Sequence, residues 1–147
     1  MTEAVKVRGV FIGTGRPKIC VPIVAATRQE LVSQAEKLRD VPFDLVEWRA
    51  DWYEDGTCRE KVIQALKDLR NSLGNVPLLF TFRGKQEGGE RELDAKEYLE
   101  LTLQAAVSGT VDLVDLELFT GLKAGRELFI DVIRRIKQQG VTIIMSS

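Results

Sequence analysis

Two rhythms of apolar residues alternate along this chain: short runs rich in β-branched side chains, and longer stretches with an apolar residue every third or fourth position. The first kind reads as strand and the second as amphipathic helix. Val5–Val7 and Val10–Ile12 flank Arg8-Gly9 and predict a small hairpin ahead of the main fold. Core strands are predicted at residues 18–24, 44–50, 77–83, 111–118 and 141–145. Pro22 falls near the end of the first, where a missing N–H is tolerated. Between these runs Thr27-Arg28-Gln29-Glu30 has capping-box form and opens a helix with Leu31, Ala35 and Leu38 on one face. Further helices are predicted over 59–73, closed by Gly74, over 94–107, ending at Ser108-Gly109, and over 123–139, stopped by Gly140.

Strands alternating with helices make βαβ units, which force a parallel sheet with right-handed crossovers. Two architectures fit: an open doubly wound sheet, or the first part of an eight-stranded (β/α) barrel, for which roughly 250 residues are typical. A doubly wound nucleotide binder carries a glycine-rich turn between its first strand and helix. Here that turn is Ala25-Ala26-Thr27, and Gly13-Thr14-Gly15 precedes the strand, so no dinucleotide fingerprint is present. Periodicity alone leaves both architectures open.

Composition narrows the function classes. Lys+Arg 21 against Asp+Glu 22 gives a net charge of −1, which offers no electrostatic footprint for nucleic acid or an anionic membrane. The apolar runs are too short to span a bilayer, and the N-terminus lacks the apolar stretch of a secretory signal, so a cytoplasmic location is expected. Cys20 and Cys58 stand without a neighbouring Cys or His, which predicts two ordinary buried or half-buried thiols in place of a disulfide, and no metal site.

Buried parallel strands normally read as near-continuous apolar runs. Three of these instead carry polar residues two apart: Glu47 and Arg49, Thr81 and Arg83, Asp115 and Glu117. Side chains alternate faces along a strand, so each pair projects from one face, and each lies toward the C-terminal strand end, where both architectures place ligands. A structural cluster Glu47–Arg49–Arg83–Glu117 stapling neighbouring strands is one explanation. It is a weak one for Glu47, Arg49 and Arg83, because desolvating ions costs several kcal/mol each. These three are expected to bind a small, polyhydroxylated, anionic metabolite. For Asp115 and Glu117 the structural and functional explanations both stand. The polar loop over 84–91 follows Arg83 directly, and Gly88-Gly89 would let it turn sharply over the sheet end and hold Glu87 at the site; a plain solvated loop is the alternative.

Glu47-Trp48-Arg49-Ala50-Asp51, Leu79-Phe80-Thr81-Phe82-Arg83 with Glu87-Gly88-Gly89, Val114-Asp115-Leu116-Glu117-Leu118 and Ile144-Met145-Ser146 occur in an order and spacing that resembles type I 3-dehydroquinate dehydratase. The resemblance covers essentially the whole chain. It implies an α/β fold, a parallel (β/α)8 TIM barrel of which residues 1–147 form an incomplete single domain with about the first five strands and four helices. It also implies dehydration of 3-dehydroquinate to 3-dehydroshikimate in the shikimate pathway of aromatic amino acid biosynthesis, with no cofactor or metal. In that family a lysine forms an imine with the substrate ketone, a histidine removes the α-proton and helps expel the hydroxyl, and a glutamate orients the histidine. The resemblance makes Glu87 that catalytic glutamate, and Glu47, Arg49 and Arg83 substrate-binding residues. Pro22 stands where some members have a serine.

The 147 residues contain no histidine. The resemblance places the histidine directly after Ser147 and the lysine on a sixth strand; Lys18 and Lys85 match neither position. The chain is therefore expected to be a truncated piece, inactive alone, whose partners are 3-dehydroquinate and either the missing C-terminal part of the barrel or a second copy. A homodimer is expected, with no nucleic-acid or membrane partner. Two alternatives stand beside the enzyme: a non-catalytic ligand-binding module and a self-assembling half-barrel.

Overall fold

The computed structural model describes residues 5–12, 18–85 and 88–147. The hairpin forms as expected: β1 (Val5–Val7) pairs antiparallel with β2 (Val10–Ile12). Its two-residue turn has positive φ at both central positions, 45° at Arg8 and 83° at Gly9. That conformation matches the right-handed twist of the strands, and Gly9 adopts it without a Cβ penalty.

The main sheet comprises β3 (Cys20–Ile23), β4 (Leu45–Arg49), β5 (Leu78–Thr81), β6 (Leu113–Glu117) and β7 (Thr142–Ser146). All are parallel, and their spatial order is their chain order. A doubly wound sheet reverses its strand order at a switch point and carries helices on both faces. Here nothing reverses. The helices α1 (Arg28–Lys37), α2 (Arg59–Leu73), α3 (Ala95–Val107), α4 (Leu118–Ala124) and α5 (Arg126–Gln138) form one outer layer, each packed on the next in chain order. Five strands stepping one way under a single helical layer form the wall of a (β/α) barrel. Pro22 is tolerated because β3 is an edge strand, with no neighbour on its far side among the described residues.

Between sheet and helices lies the main core. Trp48, Phe80, Phe82, Val114 and Leu116 from the outward strand positions meet Leu31, Leu66, Leu69, Tyr98, Phe129 and Ile136 from the helices. Trp48 stands edge-on to Tyr53 and Phe80, with ring centroids 5.7 and 5.9 Å away. A smaller cluster closes the inward face at the N-terminal strand ends, where Leu45, Leu79 and Leu113 pack with Val7 of the hairpin. The hairpin is tied there by Arg8 Nε, which donates to Asp112 at 2.7 Å. Arg70 Nη2 donates to the same carboxylate at 2.8 Å, and Arg70 also donates to the carbonyls of Gly74, Val76 and Thr110.

Three expectations change in the structure. The helix expected over 123–139 begins only at Arg126, and a separate helix not expected from the sequence, α4, precedes it over Leu118–Ala124; Gly125, with a φ of +116°, divides the two. There are thus five α-helices among the described residues, not four. Thr27 caps α1 as expected, its hydroxyl accepting from the Glu30 N–H at 3.2 Å, but the Glu30 carboxylate accepts from the Ala26 N–H and not from Thr27. Cys20 and Cys58 are unbonded thiols, and both are exposed, not buried. Among the described residues no helix is long and apolar enough to cross a membrane.

Candidate active site at the strand ends

The inward face of the wall changes character along the strands. Each central strand contributes a leucine at its N-terminal end and polar groups two and four residues later: Leu45–Glu47–Arg49, Leu79–Thr81–Arg83 and Leu113–Asp115–Glu117. Alternation along the strand aligns each series on one face, so an apolar floor gives way to a polar rim at the C-terminal ends. On the flanking strands Cys20, Pro22 and Ile144 occupy the same face and are exposed.

Glu47, Arg49 and Arg83 therefore share one face and one end of the sheet, as expected. Their bonding differs from the stapled cluster Glu47–Arg49–Arg83–Glu117. Glu47 accepts a 2.7 Å hydrogen bond from the Thr81 hydroxyl and forms no ion pair among the described residues. Arg49 turns to its near neighbour Asp51, donating from Nε at 2.9 Å and from Nη2 at 2.8 Å. Of these four side chains, among the described residues, Arg83 and Glu117 alone form an ion pair with each other: Arg83 Nη1 lies 3.3 Å from Glu117 and 3.2 Å from Asp115, and Arg83 donates to the Ser146 hydroxyl at 2.9 Å. Ser146 in turn donates to Asp115 at 2.9 Å, closing a ring across β5, β6 and β7.

The carboxylates of this ring are buried, Asp115 at 5% exposure and Glu117 at 1%. Glu117 is further held by the Gly84 N–H at 3.3 Å and the Thr120 hydroxyl at 3.0 Å. Burial works to lower the Arg83 pKa, but Asp115 and then Glu117 outweigh it and raise it, so the guanidinium stays charged. The Arg49 pKa is raised first by its hydrogen bond to Asp51, against the opposing effect of burial. The Cys20 thiol pKa is raised first by partial desolvation of its sulfur, although the residue as a whole is exposed, and second by Glu47.

Three participants carried no signal strong enough in the sequence. Asp51, fully buried, sits in the 3₁₀ turn Ala50–Trp52, and only that turn reveals that it folds back onto Arg49. Ser146 lies one residue beyond the expected strand 141–145, and only the docking of β7 beside β6 brings its hydroxyl to Arg83 and Asp115. Tyr98 reads as one more core position of α3, yet its hydroxyl donates to the Asp115 carbonyl at 3.2 Å and accepts from the Glu117 N–H at 3.0 Å. It thereby fixes the backbone that presents both carboxylates.

Burial pushes the Tyr98 pKa well above its ordinary value, and the hydroxyl stays protonated in the folded chain. Tyr98→Phe is expected to cost about 1–3 kcal/mol, since it strands a buried N–H and carbonyl; chemical denaturation measures it. The sign of the pH effect follows from linkage. A folded-state pKa raised above the unfolded value gives stability that is fully present below about pH 10 and lost as pH rises further, because the unfolded chain then releases its proton first. Tyr98→Phe is expected to lack that component of alkaline destabilisation.

Among the described residues after Arg83, the Gly89 N–H bonds the Gly84 carbonyl at 2.9 Å and the Lys85 N–H bonds the Arg91 carbonyl at 3.0 Å. Gly88 has a φ of +89°, and a Cβ on Gly89 would collide with the Arg83 carbonyl, so neither position accepts a side chain without strain. Glu87, the expected catalytic glutamate, lies outside the described residues. A cavity of about 290 Å³ opens beside the ring, lined by Phe82, Gly84, Tyr98, Glu117 and Thr120 among others, but Glu47, Arg49 and Arg83 do not line it. Among the described residues no group of His, Cys, Asp and Glu side chains is placed to hold a metal ion.

The family model for type I 3-dehydroquinase matches residues 19–147. The chain belongs to the type I 3-dehydroquinase family. Among its curated relatives is a 3-dehydroquinate dehydratase of Clostridium botulinum, 46% identical over the whole chain, of which the chain covers 56%. A type I 3-dehydroquinate dehydratase from Clostridium difficile, solved with covalently modified comenic acid, superposes with a TM-score of 0.93 at 37% identity over 100% of this chain and 56% of that one. The 3-dehydroquinate dehydratase of Geobacillus kaustophilus gives 0.88 at 35% identity, over 99% of this chain and 55% of its own. The chain thus spans about half the length of these relatives.

Proposed function

We propose that the whole protein dehydrates 3-dehydroquinate to 3-dehydroshikimate through an imine, and that these residues supply the wall that holds and orients the substrate. The observation that carries this reading is the polar rim itself: Glu47, Arg49 and Arg83 at the C-terminal strand ends of a chain belonging to this family. Glu47 has acceptor capacity beyond its bond to Thr81 and suits a substrate hydroxyl. Arg49 and Arg83 keep donor N–H groups beyond those bound to Asp51, Asp115 and Ser146.

The charge balance of the rim supports cationic chemistry. Glu47, Asp51, Asp115 and Glu117 against Arg49 and Arg83 leave it net negative. Such a wall favours a protonated imine over a neutral ketone, while the remaining donors of Arg49 and Arg83 suit the substrate's anionic group. In the imine mechanism a lysine amine displaces the ketone oxygen as water and forms C=N⁺. A base removes the α-proton, and the resulting enamine expels the β-hydroxyl, protonated, as a second water. Hydrolysis of the new imine releases the enone and returns the lysine.

In this reading Glu47, Arg49 and Arg83 hold the ring, and Glu87 orients the family's histidine. The lysine and histidine are expected outside these 147 residues, which contain no histidine. The test is borohydride reduction of the whole protein with and without 3-dehydroquinate, followed by intact mass. A substrate-dependent covalent adduct on one lysine is expected; turnover with no trapped adduct would exclude the imine, and no turnover would exclude the dehydratase.

A further inference from the structure

Asp51 is the most completely bonded side chain at the strand ends, yet it faces no open space. Its exposure is 0%. Oδ1 accepts from Arg49 Nε at 2.9 Å and from the Arg83 N–H at 3.2 Å. Oδ2 accepts from Arg49 Nη2 at 2.8 Å and from the Glu90 N–H at 3.2 Å. Each oxygen thus takes one guanidinium N–H and one backbone N–H. The two amides bracket the segment that carries position 87.

A carboxylate buried this deeply is costly unless paired and fully hydrogen-bonded, and breaking such a pair is more costly still. Neutral packing would stabilise the fold as well or better, so four donors converging on one carboxylate fix a geometry. The bidentate contact holds Arg49 by its Nε–Nη2 edge and leaves Nη1 without a bond among the described residues. The 3₁₀ turn that aims Asp51 is itself held closely: the Gly56 N–H bonds the Tyr53 carbonyl at 2.9 Å, and any Cβ on Gly56 would strike the Ala50 carbonyl.

We propose that Asp51 is the positioning residue of this site: its buried carboxylate aims the Arg49 guanidinium and anchors both ends of the segment from Arg83 to Glu90. The effect on turnover rests on the dehydratase reading above. The anchoring does not. Asp51 touches no substrate and acts through Arg49 and through two backbone amides.

Two variants of the whole protein test this. Asp51→Asn keeps the shape but sets an NH₂ group against two of the four donors. Asp51→Glu keeps the charge but moves the carboxylate by about one bond length. Misplacement on that scale can cost on the order of a hundredfold in rate, so kcat/KM is expected to fall at least about tenfold in Asp51→Glu, and about a hundredfold in Asp51→Asn, where two of the four donors lose their acceptor. In amide hydrogen exchange, Arg83 and Glu90 are expected to lose protection in both variants while Val46, Phe80 and Val114 of the central strands keep theirs. Combined with Arg49→Lys, Asp51→Asn is expected to add much less than its own separate loss, since it acts through the same guanidinium.

Rescue of kcat/KM to within about threefold by Asp51→Glu would reduce the residue to a buried charge and overturn the proposal. Full additivity with Arg49→Lys, or unchanged exchange at Arg83 and Glu90, would do the same. If Asp51→Asn fails to fold, Asp51→Glu decides alone. A wild-type protein that does not turn over 3-dehydroquinate would refute the dehydratase reading, and the exchange of the two amides would still judge the anchor.

Discussion

Arg83→Ala is expected to be the most damaging single substitution on the inward face, costing about 3–5 kcal/mol of stability. Arg83 is the cation shared by Asp115 and Glu117, which lie 3.2 and 3.3 Å from it and are 5% and 1% exposed. Its removal leaves two buried like charges side by side, the least favourable way to break a buried ion pair. The ring through Ser146 opens as well, loosening the link from β5 to β7. For a domain whose total stability is of order 5–15 kcal/mol, this loss approaches the limit of folding.

The contrasting control is Arg28→Ala. Its pair with Asp68 is at least as short, 2.7 Å, but the Arg28 side chain is 66% exposed. That exposed contact is expected to be worth about 0–1 kcal/mol. Urea denaturation of both variants gives the comparison directly. In the whole protein Arg83→Ala is further expected to lower kcat about 10²–10³-fold where it remains folded, as expected for loss of a preorganised donor. Equal urea midpoints for the two variants would refute the shared-cation account.

The 147 residues on their own are expected to leave 3-dehydroquinate unchanged. They contain no histidine, and a positioned general base contributes typically 10²–10⁴-fold by itself. Appearance of the conjugated enone, followed by absorbance, measures turnover. Adding the C-terminal part of the Clostridium botulinum relative as a separate polypeptide is expected to restore it. The physical reason is that β3 and β7 present unpaired edges among the described residues, and paired edges are far more favourable than exposed ones. Turnover by the 147 residues alone would remove the histidine from the mechanism; failure of the mixture with a folded partner would show that the edges do not reassemble.

Both predictions concern the same few side chains, and these were unequally legible in the sequence. The polar series Glu47–Arg49, Thr81–Arg83 and Asp115–Glu117 could be assigned to one face because the strand period of two is a local property of the backbone. The hairpin turn, the Thr27 cap and the helix stop at Gly74 are local in the same sense, and all appear in the structure. The break at Gly125 is also local, but the seven-residue helix before it was missed, because Leu118–Ala124 is too short to show a helical period.

What the sequence determined by itself is therefore the series of elements and the direction in which each side chain leaves its strand or helix, since both depend on neighbours a few residues away. Periodicity left barrel wall and doubly wound sheet open; apart from the family resemblance, the choice was made by the order β3-β4-β5-β6-β7, which depends on where each crossover returns its strand. Pairing among the charges was decided at the same level: Arg49 with Asp51, Arg83 with Asp115 and Glu117, and Glu47 with Thr81. Like charges and possible partners were visible along the chain, but a hydrogen bond is made or lost within half an ångström. Only the packed sheet, with strands more than thirty residues apart brought side by side, sets distances to that tolerance.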